Sequence, residues 1–335
     1  MNSYPELLSF TIPTYNRSDF LEECLDAHIP VARKYNLEFI VLDNASTDDT
    51  PIIVQKKQAE YPHIRYYRNE TTIDPDSNFK KALELSTTKY TWLLGDSYRL
   101  PDAGIEFLLP LLSSEEKKFD AIVFNLISSR RNKSQIYTDA NLMFKDLGAI
   151  MTSISSLIFS KKLIQNADFE RYKDTNFLQT GIIFDYIAKH PFRIKWIQEY
   201  SVESLNYQKK KKIAWSNQPV VFEIACKRWQ NFIFSLPDVY SEESKLKVIR
   251  DFGALSGIFS FRNLLNLRKK KILTYDIYLK YQPYFQRATT FPESIVKIIA
   301  FLPIPVILVI RFLAKVYAKS GQFEKYWKRF KNRFS

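Results

Sequence analysis

Along the first 110 residues, apolar positions fall in short unbroken runs, and each run stops at a polar turn followed by a stripe of helical period. Leu8 to Ile12 runs into Pro13-Thr14-Tyr15-Asn16-Arg17. Glu38-Phe39-Ile40-Val41-Leu42 runs into Asp43-Asn44-Ala45-Ser46-Thr47-Asp48-Asp49-Thr50. Ile64 to Arg68 reads as a third strand, and Tyr90 to Leu94 as a fourth that delivers Gly95-Asp96. Short apolar runs bounded by turn signals suit strands buried on both faces. Between them, Phe20, Leu21, Cys24 and Leu25 sit at helical spacing behind a cap at Asn16 or Ser18. Thr47 and Asp48 cap a second helix from Thr50 to about Ala59, with Pro51 tolerated in its first turn, and Ser77 to Ser86 reads as a third. This alternation predicts an α/β fold with a doubly wound, mostly parallel sheet flanked by helices. Such sheets bind ligands beyond the carboxyl ends of their strands, where Asp43 and Asp96 fall.

Further on, Ala121 to Ile127 is another strand and Ser153 to Phe159 one more, in the second half of the sheet. From about Pro219 the pattern turns helical, and Phe222, Ala225, Cys226, Trp229, Phe232 and Ile233 share one face, which suits core packing better than a ligand pocket. Residues 295–310 are almost wholly apolar, interrupted by Lys297, Pro303 and Pro305, and fall short of the ~20 residues that a spanning helix needs. Cations (Arg311, Lys315, Lys319, Lys325, Lys328, Arg329, Lys331, Arg333) then alternate with aromatics, as in a helix lying at an anionic membrane surface. A solvated hairpin packed on its own domain is the competing reading. The expected divisions are 1–112 and 113–215 (the two halves of the α/β domain), 216–290 (helical C-terminal extension) and 291–335 (membrane-associating tail).

Composition narrows the class. The chain has 335 residues, 46 % of them hydrophobic, enough for a substantial core. Two cysteines, Cys24 and Cys226, exclude a disulfide framework or a cysteine-rich zinc site and suit a reducing compartment. The amino terminus shows no signal-peptide pattern. Net charge is +13, unevenly spread: residues 1–110 hold 11 Lys/Arg against 17 Asp/Glu, and the remainder 38 against 19. The basic part therefore suits an anionic partner, whether a phosphorylated substrate or a phospholipid surface. No nucleic-acid-binding module is recognisable, and nucleic acid is not an expected partner.

Four motifs, Thr11-Ile12-Pro13-Thr14-Tyr15-Asn16-Arg17, the Asp43 to Thr50 turn, Asn78 with Lys81, and Trp92-Leu93-Leu94-Gly95-Asp96, stand in the order and spacing of one family. The chain resembles family 2 glycosyltransferases of the GT-A fold, and within them the abequosyltransferase-like branch that builds bacterial surface polysaccharides such as capsules. The resemblance implies an inverting transfer of sugar from a nucleoside diphosphate donor, UDP foremost, to a lipid-linked or growing glycan. It implies that Asp43 contacts the base, that Pro13, Thr14 and Tyr15 line the nucleotide pocket with Arg17, Asn78 and Lys81 nearby, and that Asp96 lies by the ribose and the metal-bound diphosphate. Asp48 and Asp49 read better as helix caps.

One departure matters. Where the family carries a cluster of aspartates for Mn²⁺ or Mg²⁺, this chain reads Asp96-Ser97-Tyr98, and a phenol is a poor ligand for a hard cation. Three outcomes stay open: Asp96 holds the metal with phosphate and water, basic residues replace it, or transfer is lost and the chain is a catalytically silent scaffold of a polysaccharide assembly. Lys211, in the run Lys209 to Lys212, is the candidate basic residue, with a solvated run as the alternative. The resemblance places the general base at a helix start; Asp174 is the first choice and Asp185 the second. His28, His63 and His190 read as structural. The expected location is the cytoplasmic face of the cell membrane, peripherally bound.

Overall fold

The computed structural model describes residues 4–114, 116, 118–126, 133–205 and 215–319, the side chains of 314–319 excepted. Among the described residues the strands are β1 (Leu8–Thr14), β2 (Glu38–Asp43), β3 (Ile64–Arg68), β4 (Tyr90–Leu93), β5 (Tyr98–Arg99), β6 (Ala121–Asn125), β7 (Gln135–Tyr137), β8 (Leu157–Ser160), β9 (Ile194–Ser201) and β10 (Glu203–Ser204). The helices are α1 (Ser18–Tyr35), α2 (Thr50–Glu60), α3 (Pro75–Glu84), α4 (Asp102–Ser113), α5 (Ala140–Leu147), α6 (Lys161–Gln165), α7 (Leu178–Lys189), α8 (Trp229–Ser235), α9 (Glu242–Ser256), α10 (Phe261–Lys269), α11 (Tyr275–Ala288), α12 (Glu293–Phe301) and α13 (Ile304–Lys319).

Eight strands make one sheet in the order β3-β2-β1-β4-β8-β6-β9-β7, and β5 pairs with β10 in a separate ribbon. Pairs β1–β2, β1–β4, β2–β3 and β6–β9 are parallel, whereas β8 runs antiparallel to both β4 and β6, and β7 to β9. The GT-A expectation of a mostly parallel sheet flanked by helices is met. Register aligns Phe10 with Phe39 and with Trp92, so its ring stacks on Phe39 at 5.0 Å and meets Trp92 tilted at 5.2 Å, and Trp92 stacks in turn at 6.1 Å on Phe124. All four are fully buried. Emptying one such position to alanine costs roughly 3–5 kcal/mol, so this row fixes the relative placement of the strands that carry the site.

Local signals end the elements. Asn36 takes the left-handed conformation (φ 57°) after α1, and both its N–H and that of Leu37 bond to the Ala32 carbonyl. An asparagine tolerates that conformation, and the turn sends the chain back into β2. Two boundaries differ from expectation: Ile154–Ser156 is a 3₁₀ turn, so β8 starts only at Leu157, and α7 starts at Leu178, four residues past Asp174.

The chain divides into two compact units, residues 1–212 with 231–248, and 213–230 with 249–335. The first holds both sheets. In the second, Glu223–Arg228 winds as a π-helix, Trp229 packs on Phe252 at 4.7 Å, and Tyr281 donates to Glu223 at 2.8 Å. Phe222, Ala225, Cys226, Trp229, Phe232 and Ile233 are all buried, as their stripe requires. Among the described residues no single helix is long and apolar enough to cross a membrane; α12 and the apolar part of α13 pass that test only as a pair, bent by 116°.

Candidate functional site

The four parallel strands β3-β2-β1-β4 end at one edge, and their last residues meet there. The Pro13-to-Arg17 loop and the Asp43-to-Thr50 turn are zipped together: Asn44 donates to the Thr14 carbonyl, Asn16 to Ser46 Oγ, Thr47 to Asn16 Oδ1 and Ser18 to Asp48 Oδ2, all within 2.7–2.9 Å. Asp48 also accepts from the Thr50 N–H and hydroxyl. Burial alone would raise its carboxyl, but the bonds from Thr50 and Ser18 outweigh that and hold it below its ordinary value. Asp48 therefore braces two helix starts, the capping role expected of it; Asp49 occupies the N-cap position of α2 without a side-chain bond.

Asp43, fully buried, accepts from the Ser46 N–H on Oδ1 and from the Tyr66 hydroxyl and Arg68 guanidinium on Oδ2, at 2.8, 2.6 and 3.1 Å. Burial, reinforced by that carboxylate, pushes the Tyr66 hydroxyl up to about 12. Arg68 also donates to the Ser46 carbonyl at 2.7 Å and keeps its side chain 41 % exposed. Asp43 thus holds Arg68 at the carboxyl edge of the sheet. Arg68 is the residue that sequence reasoning missed: it was read only as the end of a strand.

Across β1, Thr14 Oγ1 donates to Asp96 Oδ2 at 3.0 Å and Arg17 Nη1 meets Asp96 Oδ1 at 3.2 Å. Arg17 lies over the Phe20 ring at 4.6 Å. Pro13 is buried within β1, while Tyr15 stands 45 % exposed just past its end. Asn78 and Lys81 reach the same edge by another route: Asn69 donates to Asn78 Oδ1 and to Asn44 Oδ1, and the Lys81 ammonium donates to Asn69 Oδ1 at 2.7 Å. They brace the 69–74 loop behind the Asp43 turn. The structure brings Pro13, Thr14, Tyr15, Arg17, Asp43, Asn78, Lys81 and Asp96 to one edge; Lys211 lies outside the described residues.

The two expected bases are placed differently. Asp185 is buried within α7 and carries two cations, Arg171 at 3.0 Å and Lys189 at 2.5 Å, so its carboxylate is committed to ion pairs. Asp174 is exposed in a turn where it and Asn176 both adopt left-handed backbone (φ 63° and 68°). The buried carboxylate of Asp76, near the start of α3, accepts the Asn176 N–H at 2.8 Å and ties this turn to the carboxyl edge.

A divalent cation fits this site poorly. Among the described residues no three acidic, histidine or cysteine side chains gather into a cation-binding set. The one carboxylate at the expected position already carries the Arg17 guanidinium. Ser97 and Tyr98 offer no carboxylate: the Ser97 carbonyl accepts the Leu205 N–H, and Tyr98 packs on the hydrophobic core. A cavity of about 520 Å³ opens at the opposite edge, beside Tyr90, Phe119, Lys162 and Arg193. Volume alone would favour it, but the strand ends and buried carboxylates converge elsewhere.

Known proteins resemble this chain in sequence and in fold. The chain is 30 % identical over 187 residues to abequosyltransferase RfbV of Salmonella typhimurium, covering 49 % of this chain and 56 % of that one. It is 28 % identical over 174 residues to the GalNAc(5)-diNAcBac-PP-undecaprenol beta-1,3-glucosyltransferase of Campylobacter jejuni, covering 48 % and 54 %. The chain thus spans about half the length of these curated relatives. Among solved structures, S. aureus TarS 1-349 in complex with UDP-GlcNAc superposes with a TM-score of 0.54 at 17 % identity, covering 86 % of this chain and 82 % of that one. The mannosyltransferase PcManGT from Pyrobaculum calidifontis, in complex with GDP-Man and Mn²⁺, gives 0.51 at 15 %, covering 89 % and 86 %. These likenesses show the fold. Residues 9–200, more than half the chain, match the family described as glycosyl transferase family 2, and the chain belongs to that family.

Proposed function

We propose that this chain is an inverting glycosyltransferase of bacterial surface-polysaccharide synthesis, moving a sugar from a nucleoside diphosphate donor, UDP foremost, to a lipid-linked glycan. The observation that carries the reading is the convergence of Asp43–Arg68 and Thr14–Asp96–Arg17 at the ends of four adjacent parallel strands. Asp43 and Asp96 flank β1 at two strand spacings, about 10 Å, a span that suits a nucleoside with its base beside Arg68 and its diphosphate beside Arg17. The names of the curated relatives support sugar transfer, and one of them names an undecaprenol-linked acceptor.

In this reading Asp174 takes the proton of the acceptor hydroxyl as that oxygen bonds to the anomeric carbon, and the nucleoside diphosphate leaves with the pair from the broken C–O bond. Asp174 suits this role better than Asp185, whose two ion pairs hold its charge. Peripheral attachment to the cytoplasmic leaflet is supported by apolar side chains left exposed on α12 and α13, among them Phe301, Val309 and Phe312. Confinement there raises the effective concentration of a lipid-linked acceptor.

The test is a panel of UDP-, GDP- and dTDP-sugars offered with polyprenyl-diphosphate-linked glycan acceptors, with release of nucleoside diphosphate as the signal. A catalytically silent scaffold is the second reading, favoured by Ser97 and Tyr98. It expects donor binding without turnover for every sugar.

A further inference from the structure

Ser97 and Tyr98, which follow Asp96, add no carboxylate to it. After Asp96 the chain enters β5, where Tyr98 and Arg99 pair with Ser204 and Glu203 of β10. Glu203, the nearest carboxylate on that ribbon, is matched to Arg99 at 3.1 Å. What stands against Asp96 is a cation of the chain itself. Arg17 is placed by three features: its contact with Asp96 at 3.2 Å, its stacking over Phe20 at 4.6 Å, and its position immediately before the 18-residue helix α1. A guanidinium carries five N–H donors, and the Nη1 end of this one is directed to Asp96. Its side chain remains 34 % exposed, so the other end is accessible to a ligand. The positive end of α1 adds to the same field.

We infer that Arg17, docked on Asp96, binds the donor diphosphate directly and takes the charge-neutralising place of a divalent cation, so that this chain binds nucleotide without metal. The inference rests on the nucleotide-sugar reading above. Arginine suits the task because its planar fork meets two phosphate oxygens at once and never loses its proton. Asp96 then acts as the positioning partner of Arg17, and Thr14 orients Asp96 in turn.

The experiment is calorimetric titration of the full chain with UDP, GDP and dTDP, in EDTA and again in Mn²⁺. The expected result is a Kd for the preferred nucleotide that agrees within about twofold between the two conditions. Arg17→Ala should weaken binding in EDTA by at least about tenfold, as loss of a charged hydrogen bond does, and Arg17→Lys should retain part of it. Binding that appears only with Mn²⁺ overturns the inference and leaves the nucleotide reading standing. No binding of any nucleotide in either condition overturns the nucleotide reading itself. A folded Arg17→Ala protein that binds as the parent does in EDTA also overturns the inference. Should that variant not fold, the comparison on the unmodified chain decides alone.

Discussion

The buried carboxylate of Asp43 and the half-exposed guanidinium of Arg68 meet at 3.1 Å across paired strands, at matched positions of the β2–β3 register. Truncating Arg68 leaves a buried charge with only Tyr66 and the Ser46 N–H. Breaking such a pair strands its buried member, and the exposure of Arg68 moderates the cost, so Arg68→Ala should lower the midpoint of urea unfolding. Because the cost is an uncompensated charge, the double variant Arg68→Ala/Asp43→Asn should be more stable than Arg68→Ala alone. A double variant less stable than either single one would contradict this.

Two buried titrating groups act in opposite directions on stability. Burial, with Asp74 and Asp174 nearby, raises Asp76 from 3.8 to about 6. Between those values the unfolded chain has released its proton and the folded chain has not, so stability falls as pH rises from 3.8 to 6. Burial lowers His28 from 6.5 to about 4, its ring enclosed by Phe10 and Trp92. There the unfolded chain holds the extra proton, so stability is full above 6.5 and is lost as pH falls toward 4. At ~1.4 kcal/mol per unit each slope amounts to roughly 3 kcal/mol, and in the parent they nearly cancel. Relative to the parent, Asp76→Asn should gain stability from pH 4 to 6, and His28→Gln should lose it from pH 4 to 6.5. Parallel pH profiles for all three proteins would refute both assignments.

Gly181 in α7 lies against the ring of Tyr172, and a β-carbon there would stand 2.4 Å from its Cγ. Tyr172 is fully buried and its hydroxyl reaches Asp185. Gly181→Ala must therefore displace the ring, and overpacking of this kind costs about 1–3 kcal/mol despite the better helix propensity of alanine. Thermal unfolding measures it. An unchanged or raised Tm would show that Tyr172 moves freely.

Membrane attachment is tested at Phe301 and Phe312, which are 72 % and 66 % exposed. Burying a phenylalanine in a bilayer interface is worth roughly 1.5–3 kcal/mol, so Phe301→Ser/Phe312→Ser should sharply reduce cosedimentation with phosphatidylglycerol vesicles. UDP binding should be unaffected. Equal cosedimentation by parent and variant would remove α12 and α13 from the attachment surface.

The first four strands of the sheet were legible because each is a compact apolar run with a turn signal behind it. Strands β5, β7, β9 and β10 were not recognised. In β9 Lys195 and Gln198 interrupt Ile194, Trp196 and Ile197 without regular alternation, and β5, β7 and β10 are only two or three residues long. Site residues within one strand-end motif were equally visible. Arg68 was not, because its role depends on the register that sets it opposite Asp43, and pairing register is not written in either strand alone. The same limit hid the Arg17–Asp96 contact: both residues had been named, but their meeting is a product of β1 lying beside β4.

The antiparallel insertion of β8 between β4 and β6 has a consequence for the order of assembly. Strands β1 to β4 find all their mutual pairings within residues 8–93, so this half of the sheet can close while the chain is still being synthesised. The Gly95 turn cannot. Its N–H is received by Ser155 Oγ at 2.9 Å and the Trp92 indole donates to the Ser155 carbonyl, a partner 60 residues downstream. At about 5–20 residues per second, Ser155 is synthesised roughly 3–12 s after Gly95. The Asp43–Arg68 side is therefore built first, and the Asp96 turn is fixed last, by a serine from the other half of the sheet.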